Sequence, residues 1–162
     1  MSTKCKIRAA LAEDTPVILG LIKELAEYEK LLDQLVATEE TLREWLFGKK
    51  IAGALIAELD NEPVGYALFF HNFSTFLGRA GMYLEDLYVR PSARKMGIGR
   101  KLFAAVARIA RNSDCGRLEW VCLDWNKQGI DFYLSLGAKP LDDWTIYRLT
   151  GEGIDNLANI EN

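Results

Sequence analysis

The sequence predicts a mixed α/β domain, a sheet with helices packed on it. Three observations carry this. Segments of period-two alternation and of helical period follow one another in the order β-α-α-β-β-β-α-β-α-β. The 162 residues hold no repeat, low-complexity stretch or linker and suffice for one full core, so residues 1–162 are expected to form a single domain. A chain 49% hydrophobic and 27% charged has the ordinary balance of a globular protein.

The elements follow in order. "KIRAA" alternates and reads as a first strand. Asp14 stands where it would cap a helix, with Pro16 in the first turn and Ile18, Leu21, Ile22, Leu25 and Ala26 on one face. "TEETLREWLFG" is a shorter helix with Thr38 as its cap, acids in its first turn and Gly48 as its stop. "IAGALIAEL" and "PVGYALFF" flank the turn Asp60-Asn61-Glu62 as an antiparallel hairpin. "GMYLEDLYV" is a further strand ended by Arg90-Pro91, and a third helix runs from about Ile98 to Asn112. "RLEWVCLDW" reads as a strand, "NKQGIDFYLSLG" as a helix capped by Asn126 and ended by Gly137, and "WTIYRL" as a last strand. The final dozen residues are polar and are expected to fray.

Charge and composition narrow the function. With 23 acidic against 20 basic residues the net charge is −3, which argues against a general nucleic-acid binder and leaves room for a small cationic partner. "MSTKCKIRAA" has no apolar signal-peptide core and no apolar run approaches the length of a membrane span, so a cytoplasmic protein without a membrane partner is expected. Cys5, Cys115 and Cys122 form no Cys-x-x-Cys pair, and there is one histidine, His71 at the end of "YALFF". Reduced thiols and no metal site are expected.

"RKMGIG", residues 94–99, lies between a turn and the third helix. Gly97 and Gly99 let the backbone fold tightly with several N–H groups pointing one way, and the helix N-terminus just beyond favours an anion. Arg94, Lys95, Arg100 and Lys101 surround it with positive charge. A phosphate or pyrophosphate is the expected guest, although a flexible loop with solvated charges would read the same from six residues alone. There is no Gly-x-x-x-x-Gly-Lys-Ser/Thr and no third glycine of a dinucleotide fingerprint.

Arg94-Lys95-Met96-Gly97-Ile98-Gly99 resembles the Arg/Gln-x-x-Gly-x-Gly/Ala signature of the GNAT superfamily of acetyl-CoA-dependent N-acetyltransferases. "LIKELAEYEK", "YLEDLYV", "DWN" and "DFYLSLGA" extend the resemblance over nearly the whole chain, toward the spermidine/spermine (diamine) branch that includes enzymes acting on thialysine. Lys95 departs from it, since that branch often has glycine after the arginine. The resemblance implies a central, mostly antiparallel sheet with helices on both faces, a homodimer, and acetyl-CoA as cosubstrate. Its coenzyme would be held by Arg94, Lys95, Met96, Gly97, Ile98, Gly99, Arg100, Asn126 and Tyr133 and by the backbone of Leu87, Tyr88 and Val89.

Acetyl transfer from a thioester needs a neutral amine, yet a lysine-like amine of pKa near 10.4 is neutral in only about one molecule per thousand at pH 7. Restricting reaction to that fraction costs about 4–5 kcal/mol, which carboxylates that receive the cation and relay its proton would offset. Glu85 and Asp86 are adjacent in one apolar strand, so alternation sends them to opposite faces unless a bulge intervenes. The resemblance implies such a bulge and implies that Glu85 contacts the amine, directly or through water. It also implies that Tyr133 is the general acid to the coenzyme thiolate, that Asn126 contacts the coenzyme, and that Tyr28 and Glu29 bind the amine. Asp86, Glu119, Trp120 and Asp124 would line the same site, and Asp142 or Asp143 roughly matches another acid. Edge carboxylates and core aromatics would account for these residues as well. The expected function is acetyl transfer to a primary amine of a small cationic acceptor, a diamine or polyamine, by direct attack in a ternary complex, since no Cys–His pair marks an acyl-enzyme nucleophile. The alternatives are a lysine-like amino acid such as thialysine, a peptide amine, or a sensor that binds acetyl-CoA without turnover.

Overall fold

The fold was read from a computed structural model that describes residues 4–160. The described residues group into two compact units, one running to Leu123 and the other starting at Asp124.

The first unit is a five-stranded sheet in the order β1-β2-β3-β4-β5. Strands β1 (Cys5–Ala9), β2 (Gly53–Leu59), β3 (Glu62–Ser74) and β4 (Arg79–Val89) pair antiparallel, and β5 (Leu118–Glu119) joins β4 in parallel. The helices are α1 (Thr15–Tyr28), α2 (Glu39–Arg43), which continues as a π turn through Gly48, and α3 (Ile98–Asn112). On one sheet face Ile56, Tyr66, Leu68 and Tyr88 pack with Ile18, Leu21 and Leu25 of α1 and Leu46. The alternate residues Leu55, Ala57, Ala67 and Phe69 are buried too, and α3 lies along β1 to β4 with Ile98, Leu102, Phe103 and Val106 buried. The expected mixed, mostly antiparallel sheet with its helices is the fold that forms. Among the described residues no helix is long and apolar enough to cross a membrane.

Thr38 caps α2 as expected, its hydroxyl accepting from Thr41 N–H at 3.2 Å. Asp14 does not cap α1. Its carboxylate is taken by the Arg8 guanidinium at 2.7 and 2.8 Å and by Leu11 N–H at 2.7 Å. Arg8 also reaches Glu58 at 2.7 Å, which ties β1 to β2 and to the turn before α1. With both oxygens engaged by the fork and by the turn before the helix, the carboxylate makes no cap bond to α1.

The second unit holds α4 (Lys127–Ser135) and α5 (Glu152–Ala158). Asn126 caps α4, its Oδ1 accepting from Gly129 N–H at 3.0 Å, as expected. Two expectations fail on either side of the unit boundary. Of "RLEWVCLDW" only Leu118–Glu119 is strand, and "WTIYRL" forms no strand. Trp144, Ile146, Tyr147 and Leu149 are all exposed. Alternation states that a segment is able to pair, while a strand exists only where a neighbour supplies the ladder. The tail expected to fray instead forms α5, with Ile154 and Leu157 exposed along it.

Candidate active site

Strand β4 is bulged where two acids are adjacent. Leu68 pairs with Asp86, but its neighbour Phe69 pairs with Leu84, so Glu85 is the inserted residue. The insertion inverts the alternation. Leu84 and Asp86, which a regular strand would place on one face, lie on opposite faces, and Asp86 shares the side of Leu68 against which α1 packs. Glu85 is exposed at the bulge, while Asp86 is half-buried.

Helix α1 ends on the same side. Leu31 N–H donates to Ala26 carbonyl at 2.8 Å and Lys30 N–H to Glu27 carbonyl at 3.1 Å, with Lys30 left-handed at φ 60. This pair of bonds closes the helix and fixes its last turn, Tyr28 and Glu29 included. Burial raises the carboxyl pKa of Glu29, and the negative charge of Asp86 raises it further. Burial likewise raises that of Asp86, opposed by the hydroxyl of Tyr66, which donates to Asp86 Oδ2 at 2.7 Å. Glu85 adds further repulsion. Among the described residues, none of Glu29, Glu85 and Asp86 forms an ion pair. Three acids therefore gather without an ion-pair partner among the described residues, an arrangement that a cationic guest would relieve.

This arrangement works against stability. A carboxyl whose folded pKa lies above its unfolded value favours folding below the unfolded pKa and loses that contribution as pH rises through the folded pKa. Asp86→Asn should therefore melt higher than the parent at pH 8, with the gap closing toward pH 4. Differential scanning calorimetry at the two pH values checks this, and an Asn variant that melts lower at pH 8 contradicts it.

The glycine loop follows the C-terminal end of β4. Arg94 is extended, its Nε donating to the Val89 carbonyl at 2.9 Å, and its guanidinium sits 5.0 Å from the Tyr28 ring centroid and 5.7 Å from that of Tyr88. Lys95 and Gly97 are left-handed, at φ 64 and 75, and Ile98 is buried and anchors the start of α3. The departure at Lys95 thus keeps the conformation a glycine would take there. A Cβ on Gly97 would meet nothing within 4 Å, so the space above it is open. Beside it runs a groove of about 530 Å³ lined by Ile7, Gly97, Arg100, Lys101, Ala104 and Arg108. An open backbone seat, a helix N-terminus and three cations suit a phosphate-bearing ligand. Strand β5 pairs with β4 only at Met82 and Tyr83. Leu87, Tyr88 and Val89 pair with Ala67, Tyr66 and Gly65 of β3, and no strand among the described residues pairs with their other edge. An extended ligand can hydrogen-bond along such an edge.

The other expected residues are placed as follows. Glu119 lies opposite Tyr83, and its carboxylate is engaged by Arg117 at 3.0 Å and Asn72 at 3.3 Å. Trp120 packs edge-to-face on Phe103 of α3, centroids 4.9 Å apart. Met96 and Arg100 are exposed on the loop and the first turn of α3, where Gly99 is half-buried. In the second unit Asp124 is exposed, and Asn126 and the half-buried Tyr133 stand at the N-terminus and in the last turns of α4, the Tyr133 ring against Phe132 at 5.3 Å. His71 is exposed within β3 rather than at its end, and the three cysteines are half-exposed and form no disulfide among the described residues. Two features were not expected from the sequence, Tyr66 and the contribution of Arg108 to the groove. Arg108 follows Arg100 by eight residues and Ala104 by four, a helical spacing that would have revealed it.

Comparison with known proteins agrees with this geometry. Residues 19–138 match the family described as Acetyltransferase (GNAT). The thialysine N-epsilon-acetyltransferase of Bos taurus is 43% identical over 164 residues, spanning 94% of this chain and 96% of that one. The spermidine/spermine N(1)-acetyltransferase-like protein 1 of Homo sapiens is 32% identical across 94% of this chain but only 24% of its own greater length. Among solved structures, an integron cassette protein from the mobile metagenome of V. cholerae superposes with a TM-score of 0.81 at 27% identity, covering 98% of this chain and all of that one.

Proposed function

The chain belongs to the acetyltransferase (GNAT) family, and from that premise we propose that it transfers acetyl from acetyl-CoA to a primary amine on a small cationic acceptor. The observation that carries the acceptor's charge is the uncompensated acidic group of Glu29, Glu85 and Asp86, with Tyr28 beside it. Acetyl-CoA would supply the activated acetyl group as a thioester. Arg94 to Arg100 and the groove cations would hold its phosphates, and the backbone of Leu87 to Val89 would run beside its extended arm.

The roles within this reading follow the family pattern position by position. Glu85 receives the amine's proton, directly or through water. Asp86 and Glu29 bind the cation, and Glu119, Trp120 and Asp124 are the further candidates for acceptor contacts. Tyr133 donates a proton or strong hydrogen bond to the departing thiolate, and Asn126 contacts the coenzyme. Transfer is direct, within a ternary complex. One acetyltransferase domain carries all of these residues, which the family match across the boundary at Leu123 supports.

Two acceptor classes fit. A diamine or polyamine is supported by the spermidine/spermine-like relative, and a lysine-like amino acid by the thialysine-acetylating one. Thiol release from acetyl-CoA, measured against spermidine, 1,3-diaminopropane, lysine, thialysine, a short lysine peptide and glutamate, ranks them. The expected result is turnover with at least one cationic primary amine and none with glutamate. Tight acetyl-CoA binding without turnover on any amine would make the protein a sensor.

The reading includes a cytoplasmic address and a homodimer, with neither nucleic acid nor membrane as a partner. The exposed apolar segment Trp144, Ile146, Tyr147 and Leu149 supports association, since such a surface is suited to being covered by a second copy. Light scattering should give about 37 kDa, twice the 18.3 kDa chain mass. A monomer with full activity would remove the dimer from the account.

A further inference from the structure

Tyr66 is fully buried in β3, at 0% exposure, yet its ring does not end in apolar surroundings. Its hydroxyl donates to Asp86 Oδ2 at 2.7 Å. The register makes this reach available. Tyr66 stands opposite Tyr88 and Asp86 opposite Leu68, so Tyr66 and Asp86 are diagonal neighbours on one face, within the span of a tyrosine. Without Glu85 in the bulge, Asp86 would share the face of Leu84 and the pair could not form. The groups around Asp86 are Tyr66 from β3, Glu29 at the end of α1 and Glu85 from its own strand. Among the described residues Tyr66 is the one hydrogen-bond donor to this carboxylate, and no lysine or arginine pairs with it. A phenylalanine would fill nearly the same volume without the cost of burying a hydroxyl, so the hydroxyl at this place needs a reason.

We propose that Tyr66 is a positioning residue of the acceptor site, whose hydroxyl holds the Asp86 carboxylate charged and oriented beside Glu29 as the counter-charge for the acceptor's ammonium group. This rests on the acetyltransferase reading above. Asp86 sits where burial and the negative charge of Glu85 favour its protonated form, and a protonated Asp86 attracts no cation. The O–H donor favours the charged form and occupies one oxygen, which leaves the other for the ligand. Glu29, also raised by burial and by Asp86, gains from the same arrangement only when a cation is shared between the two.

The test is the pH dependence of kcat/KM for the better of spermidine and thialysine, measured with Tyr66→Phe and the parent protein. Losing a hydrogen bond to a charged group should move the acidic limb upward by about one pH unit. At pH 7 the loss should be several-fold and fall mainly on the amine KM, with little change in kcat or in acetyl-CoA affinity, and it should shrink above pH 9. In an Asp86→Asn background, Tyr66→Phe should leave the profile where that single variant has it. An unshifted acidic limb in a folded Tyr66→Phe protein overturns the proposal, as does an equal loss at every pH. A shift that persists in the Asp86→Asn background also overturns it, because Asp86 would not be the group held. If the phenylalanine variant does not fold, the hydroxyl supports the core, and the proposal is wrong. A parent protein that acetylates no amine overturns the acetyltransferase reading itself, a separate outcome.

Discussion

Tyr133→Phe should lower kcat by roughly 10²-fold while leaving the melting temperature nearly unchanged. The substitution removes only the hydroxyl. The ring keeps its edge-to-face contact with Phe132, and α4 keeps its cap at Asn126. A donor to the leaving thiolate strengthens its contact as negative charge develops on sulfur, so the effect falls on the transition state and on kcat. A tyrosine of pKa near 10 donating to a thiolate whose conjugate acid lies near 8.5 works uphill, which places the loss at the low end of the range for general acids. Coenzyme affinity should fall by no more than one hydrogen bond, about 1 kcal/mol. Steady-state kinetics with a melting curve checks all three. A variant that melts many degrees lower and whose folded fraction turns over normally makes Tyr133 a packing residue. One that is stable and fully active leaves protonation of the thiolate to water.

The second large effect is expected at Gly97. At φ 75 a β-branched residue is strained by about 1–2 kcal/mol, so Gly97→Val should refold the loop and scatter the N–H groups that it aims at one point. Losing two such bonds to a charged phosphate corresponds to roughly 10²-fold or more in acetyl-CoA affinity. No atom of the chain stands within 4 Å of the added Cβ, so the damage comes from the backbone and from intrusion into the ligand's space rather than from an internal clash. Lys95→Ala is the proper comparison. Lys95 is exposed and left-handed, and alanine carries the same backbone strain, so that variant isolates one charge, worth under about 1 kcal/mol. Calorimetric titration with acetyl-CoA should therefore separate the two variants by more than tenfold. Equal, small effects would take the loop out of the site.

Much of this was legible in the sequence because it is local. The Thr38 cap, the Asn126 cap and the glycine before α3 all act within four residues, and each forms as read. What failed depends on partners outside the segment being read. Asp14 reads as a cap until Arg8 of β1 claims it, which requires the fold to bring them together. "WTIYRL" alternates, yet nothing in its own residues names a neighbouring strand. The choice of face for Glu85 and Asp86 could be posed from the sequence but not decided, because a bulge belongs to the pairing of two strands rather than to either one. Tyr66 was hidden for the same reason. Inside "PVGYALFF" it reads as one more core aromatic, and its hydroxyl gains significance only when the bulge turns Asp86 toward it.

The measurement that bears most directly on the central claim is the initial-rate pattern of thiol release. Acetyl-CoA is varied at several fixed concentrations of the best amine, and the product is identified by mass. The account predicts lines that intersect in the double-reciprocal plot and an amine product heavier by one acetyl group, as direct attack in a ternary complex requires. Parallel lines with a protein that carries a stable acetyl group would contradict direct transfer. Thiol release without any acetylated amine would contradict the function itself.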